Sequence, residues 1–210
     1  MRNAIMSILV IFLVACQTSQ DVFMLNDGDL LFCVAETSDM SEAIVKATAS
    51  NTEMQFDHVA LFANIEGKPM VIEASAKYGV CVRNWTDFLA DAENGLVVKR
   101  INHEVDTKAA IDRALSFVGQ PYDWSYLPDN GKIYCSELIY CSFINEDGKS
   151  LFPAKPMNFR DADDNMPQFW TDLFKQLGEP IPEGIPGTNP NDMAKAPFLD
   201  EIQVYTPNKK

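Results

Sequence analysis

Only two histidines, His58 and His103, occur among the 210 residues, and no Cys-x-x-Cys pair is present. The usual zinc ligand sets therefore have little support, and no metal is expected. The run "HEVDT" at 103–107 opens like a zinc-protease signature but carries Thr107 where the second His is required. Gly-x-Ser-x-Gly is absent, as is a Gly-rich phosphate loop, so neither serine-hydrolase chemistry nor nucleotide binding is indicated, and no cofactor is expected. Positive charge is scarce, with 17 Lys and Arg against 30 Asp and Glu and a net charge of −13. No basic cluster is available to follow a phosphate backbone, which argues against nucleic acid as a partner. Internal repeats are also missing.

The amino terminus, "MRNAIMSILVIFLVAC", places one Arg ahead of an apolar run from Ile5 to Ala15, the plan of a secretory signal. That run is too short to span a bilayer comfortably. It ends in Leu13-Val14-Ala15-Cys16, which resembles a bacterial lipobox. The expectation is a signal peptide over 1–15, lipidation of Cys16, a short tether over 16–25 and one domain over 26–210. Membrane contact would then come from the lipid, on the cell-envelope side, and not from a basic protein face. Cys33, Cys81, Cys135 and Cys141 remain for the domain. Four cysteines allow two disulfides in three connectivities. The apolar setting of Cys135 and Cys141 favours buried thiols there, and the state of Cys33 and Cys81 stays open.

Strand signals dominate the first half: "DLLFCV" at 29–34, "HVALFA" at 58–63, "PMVIEA" at 69–74, "VCVRN" at 80–84 and "LVVKRI" at 96–101. A helix is expected over 41–48. From Thr107 the apolar residues Ala110, Ile111, Ala114, Leu115 and Val118 mark one helix face that Gly119 ends. The segment from Tyr134 to Ile144 has almost no polar side and predicts a buried helix. A short amphipathic helix follows at 167–177. "GEPIPEGIPGTNPND" then reads as an irregular, extended strap laid over the domain. Strands followed by helices point to an α+β fold, with an antiparallel sheet packed against a buried helix.

Cys135 sits at the start of that buried helix. A thiol becomes a useful nucleophile when its pKa falls from about 8.5 towards neutrality, aided by a helix N-terminus and a nearby imidazolium. The helix start supplies the first aid, and its amides would also bind an oxyanion. Cys141, more than a turn inside the helix, gains neither and reads as core. His103 lies in a polar run and reads as a solvated loop residue. His58 opens the strand "HVALFA", on one face with Ala60 and Phe62. A hairpin about "NIEGK" that sets Phe62 opposite Pro69 sets His58 opposite Glu73, roughly 5 Å away on the same face. The carboxylate would then orient the imidazole. A slip of one residue would send Glu73 to the other face.

The blocks "GDLLF", "FDHVALF", "MVIEA", "GQPYDW" and "YCSELIY", in this order, resemble the permuted NlpC-type papain-like amidases, the YiiX/YaeF-like group. The likeness covers about residues 26–205, including "EGIPGTNPNDMAKAPFLDEI". It implies a circularly permuted papain-like fold in which the His strands precede the Cys helix. By the same resemblance Cys135 is the nucleophile, His58 the general base and Glu73 the orienting residue. Tyr122 of "GQPYDW" would join the Cys135 amide as an oxyanion donor. Unpermuted members carry Asp-Cys-Ser-Gly where this chain has Tyr134-Cys135-Ser136-Glu137, so their cell-wall substrates do not transfer directly. The expected activity is thiol hydrolysis of an amide in a peptidoglycan-type peptide, a small peptide or an N-acyl amine. Acyl transfer by the same thioester is the alternative, and a non-catalytic peptide-binding lipoprotein is a third reading.

Overall fold

The sheet begins where continuous apolar runs first appear, because strands covered on both faces need no polar alternation. The computed structural model describes residues 25–48 and 54–206. The signal peptide at 1–15, the lipidation of Cys16 and the tether up to residue 24 lie outside the described residues. Six strands, β1 (Leu30–Val34), β2 (Phe56–Ile65), β3 (Lys68–Ser75), β4 (Gly79–Asn84), β5 (Leu96–Ile101) and β8 (Leu199–Tyr205), form one antiparallel sheet in the order β4-β3-β2-β1-β5-β8. The helices are α1 (Asp39–Thr48), α2 (Trp85–Asp91), α3 (Thr107–Ser116), α4 (Cys135–Ser142), α5 (Gln168–Leu177) and α6 (Pro190–Ala194), and a two-stranded ribbon pairs β6 (Lys155–Pro156) with β7 (Pro186–Gly187). This is a mixed α+β fold.

Alternate residues of the strands feed two cores. Leu30, Phe32, Val59, Leu61, Ile72, Val80 and Val97 face the helical side, where α3 and α4 bury Ala110, Ala114, Leu138 and Ile139. Leu31, Ala60, Phe62, Val71, Leu96 and Val98 face the other way, under Trp85 and Phe88 of α2 and Tyr205 of β8. Trp85 meets Phe62 edge-on at 5.9 Å and Tyr205 at 5.3 Å. Neither α2 nor β8 is expected from the sequence. Both carry apolar residues on one face only, and their partner, the second face of the sheet, is not visible locally.

Two further differences bear on the site. The β2–β3 hairpin turns on Glu66-Gly67, with Ile65 opposite Lys68 and Phe62 opposite Val71 rather than Pro69. Both turn residues take positive φ, 52° and 75°, which suits the tight two-residue turn. The Pro/Gly-rich strap is not wholly irregular: Pro186–Gly187 forms β7. Pro190 then starts α6, capped by Asn189, whose side chain accepts from the Asp192 amide at 2.8 Å.

Candidate active site

Cys135 is the first residue of α4, after Tyr134 with extended backbone at φ −100°, ψ 169°. Its amide thus belongs to the first turn, whose N–H groups find no carbonyl inside the helix. Two segments bring the loop after α3 beside it. Ile133 donates to the Pro121 carbonyl at 3.1 Å and accepts from Asp123 at 3.2 Å, which sets Tyr122 next to the residues leading into α4. Val80 of β4 donates to Gln120 O at 2.8 Å. Gly79 permits this approach: with φ +69°, a Cβ there would stand 2.4 Å from Gln120 O.

On the sheet side, His58 and Glu73 meet. Glu73 is not opposite His58, because the hairpin register differs by two residues from the one expected. An even shift preserves the face, and the longer diagonal lies within reach of these side chains. His58 Nε2 and Glu73 Oε2 are 2.7 Å apart, which leaves Nδ1 to face the Cys135 thiol, whose interaction with the ring raises the His58 pKa. Burial works against the imidazolium, yet the bonds and charges of Cys135 and Glu73 outweigh it and hold the His58 pKa well above its ordinary value. The imidazole keeps 23% of its side-chain surface exposed against 4% for Glu73, so the ring faces the cleft and the carboxylate does not.

Glu73 has a second partner that the sequence reading passes over. Arg83 of β4 donates Nη1 to Glu73 Oε1 at 3.0 Å and Nη2 to the Asp87 carbonyl at 3.2 Å, and pairs with Asp91. Burial opposes the Glu73 charge, but the His58 and Arg83 contacts prevail and keep its pKa below the usual carboxylate value. The signal was there: Arg83 is the single cation of "VCVRN", as anomalous among apolar neighbours as Glu73 in "MVIEA".

All four described cysteines are free thiols. Burial pushes Cys33 well above the ordinary thiol value, with Asp57 and Glu73 adding to it, and takes Cys81 and Cys141 to about 11. Cys141 is only partly buried and not part of the core expected for it, but its raised pKa keeps it a protonated, unactivated thiol. His103 is exposed and meets Phe198 edge-on at 5.6 Å, and it lines neither of the clefts at Cys135 and His58.

Cys135 opens into a cavity of about 230 Å³ lined by Tyr122, Tyr126, Tyr134, Phe159 and Trp170, and closed by the strap at Gly187 and Thr188. Thr188 donates its amide to Tyr134 Oη at 3.1 Å and its hydroxyl to Ser136 Oγ at 3.0 Å. Asn191 of α6 meets the start of β2: its Oδ1 accepts from Phe56 N at 2.8 Å and its Nδ2 donates to Phe56 O at 3.0 Å, two residues before His58. His58 lines an adjoining cleft of about 260 Å³, with Tyr122 and Asp57 shared between the two. A larger hollow of about 780 Å³ between α1 and α5 holds none of these polar groups. Among the described residues, no group of three or more His, Cys, Asp or Glu is placed to hold a metal ion, and no helix is long and apolar enough to cross a membrane.

The chain is 28% identical over 187 residues to the uncharacterized protein YiiX of Escherichia coli (strain K12), covering 86% of this chain and 87% of that protein. A crystal structure described as metalloprotein yiiX from Escherichia coli O157:H7 superposes with a TM-score of 0.71 at 23% identity, over 88% of this chain and 99% of the other. That likeness establishes the fold, and the metal is named only of that protein. Residues 24–203 match the family described as permuted papain-like amidase enzymes, YaeF/YiiX, C92. With its sheet histidine ahead of its helix cysteine and most of its length matched, the chain belongs to the permuted papain-like amidases of the YaeF/YiiX, C92 family.

Proposed function

We propose that this protein is a cysteine amidase acting through a thioester at Cys135. The observation that carries the reading is one imidazole with a thiol at a helix start on one side and a buried, Arg-backed carboxylate on the other. The Cys135 sulfur, paired with protonated His58, attacks the amide carbonyl. Negative charge moves to the carbonyl oxygen, which accepts hydrogen bonds from the Cys135 amide and the Tyr122 hydroxyl. His58 gives its proton to the nitrogen as the C–N bond breaks, and the amine leaves. His58 then takes a proton from water, hydroxide adds to the thioester, and the carboxylic acid departs as the C–S bond breaks. Glu73 keeps Nε2 bonded throughout, so Nδ1 stays aimed at sulfur and leaving group alike.

The cavity's aromatic lining fits the acyl side of a peptide or an N-acyl amine. The lipobox at Cys16 supports an envelope location, tethered by lipid.

The first test requires no substrate. Iodoacetamide labelling of each cysteine, followed across pH by peptide mass spectrometry in the full chain in detergent, should show Cys135 reacting rapidly near pH 6. His58→Ala should abolish that reaction, while Cys141 stays slow in both proteins. Equal, slow labelling of Cys135 and Cys141 in the unaltered protein would sink the amidase reading.

A further inference from the structure

The cavity beside Cys135 contains a hydroxyl that the mechanism above leaves unused. Tyr126 is 8% exposed, and its ring is held by Tyr134 at 5.2 Å, Trp170 at 5.7 Å and Phe159 at 6.0 Å. Its backbone has φ +55°, a conformation that bulky residues avoid. Asp123, fully buried, enforces it: one carboxylate oxygen accepts from Ser125 N at 2.9 Å and Ser125 Oγ at 2.6 Å, and the other from Leu127 N at 2.8 Å. Asn130 ties the same turn down through Ser125 Oγ at 3.1 Å. At the tip of this fixed ring, the hydroxyl is shielded from solvent and meets no protein group in good hydrogen-bond geometry.

A buried phenol without a partner is uncommon and costs free energy. Backbone strain together with a missing bond, next to a nucleophile, indicates a group arranged for a state other than the resting one. The polar group facing the Tyr126 hydroxyl is that of Tyr122, an imperfect contact at rest that raises the pKa of Tyr122 and lowers that of Tyr126, and Cys135 acts on both rings. Burial, and after it the neighbouring phenol and the Cys135 charge, raises Tyr122; burial and then the Cys135 charge raises Tyr126. Both phenols therefore stay protonated as donors.

We propose that Tyr126 is a positioning residue for the oxyanion: its O–H donates to the Tyr122 oxygen once the Tyr122 O–H turns to the tetrahedral intermediate. With Tyr126 as donor, the chain Tyr126 to Tyr122 to oxyanion forms in full geometry only in the reacting state, so its benefit appears in the rate of acylation rather than in substrate binding. Each bond in such a chain polarises the next. Only hydroxyl rotation and a small ring adjustment are required. The inference rests on the cysteine-amidase reading.

Two probes of Cys135 separate the effects. Iodoacetamide is attacked at its methylene carbon, where the S–C bond forms as iodide leaves, and no oxyanion arises. p-Nitrophenyl acetate is attacked at its carbonyl, passes through a tetrahedral oxyanion, and leaves an acetyl thioester and p-nitrophenolate. In the full chain in detergent, Tyr126→Phe should slow acetylation by about tenfold, leave iodoacetamide labelling at pH 6 unchanged, and leave the Tm no lower than before. Tyr122→Phe should slow acetylation at least as much, and the double variant no further than Tyr122→Phe alone. The proposal is overturned if Tyr126→Phe is acetylated at the unaltered rate, if both probes slow in parallel, or if the two variants multiply. Failure of the unaltered protein to react with either probe would instead remove the amidase reading, and the proposal with it.

Discussion

A carboxylate with 4% of its side-chain surface exposed needs a partner on each oxygen, and Glu73 has them in His58 and Arg83. Removing one member of such a pair leaves the other buried and uncompensated. Arg83→Met should therefore destabilise the protein by about 1–3 kcal/mol in denaturant unfolding. Glu73→Gln combined with Arg83→Met should cost less than the two single changes added together, since each already removes the shared contact. Additive costs would mean that the two side chains do not act as a unit. At this scale the sequence made Glu73 conspicuous and set it on the same face as His58, by counting residues in twos. The 2.7 Å contact itself depended on the Glu66-Gly67 turn, which moved the register by two and made the neighbours diagonal.

Among the elements, α4 presents Cys135 at its first residue and carries Glu137 in its first turn. Glu137 is 8% exposed, its Oε2 3.4 Å from the Tyr134 amide. Burial, with Asp123 and Asp129 adding repulsion, raises its pKa from 4.5 to about 8, although the Tyr134 amide opposes this. Between those two values the folded protein holds a proton that the unfolded chain releases. Stability therefore falls as pH rises through that window and levels off above it. His58, raised above 6.5, contributes with the same sign: its stabilisation is complete below 6.5 and lost as pH rises through the folded value. Glu73, lowered, contributes oppositely and is lost in acid. Glu137→Gln keeps the side-chain shape and cannot ionise, so its Tm should decline less than that of the unaltered protein between pH 5 and pH 8. Equal declines would remove Glu137 as a source. The longer helices were visible as periodicity and the inner strands as apolar runs. The short helices α2 and α6 were not, because one or two turns carry too little periodicity, nor was the edge strand β8, whose LDEIQVY is no apolar run and whose apolar face answers to distant partners.

For the whole molecule, the sheet supplies His58, Glu73 and Arg83 while the helical side supplies Cys135 and Tyr122, and the strap from 186 to 194 spans both through Tyr134, Ser136 and Phe56. The proposed lipid would hold this unit at a membrane. In a bacterial host that processes lipoproteins, the mature chain should begin at an acylated Cys16, and Cys16→Ala should retain residues 1–15. A mass spectrum of the unaltered chain from membranes beginning at unmodified Met1 would exclude the anchor. By itself the sequence determined the class of fold, the order of histidine before cysteine and the helix start at the thiol. These follow from local periodicity and from residues anomalous for their surroundings. Only the tertiary structure decided the register of β2 against β3, the Arg83 support, the closing of the cavity by the strap and the unpartnered Tyr126 hydroxyl. Each of these depends on contacts between segments far apart in the chain, and on turn geometry, which side-chain alternation leaves open by steps of two residues.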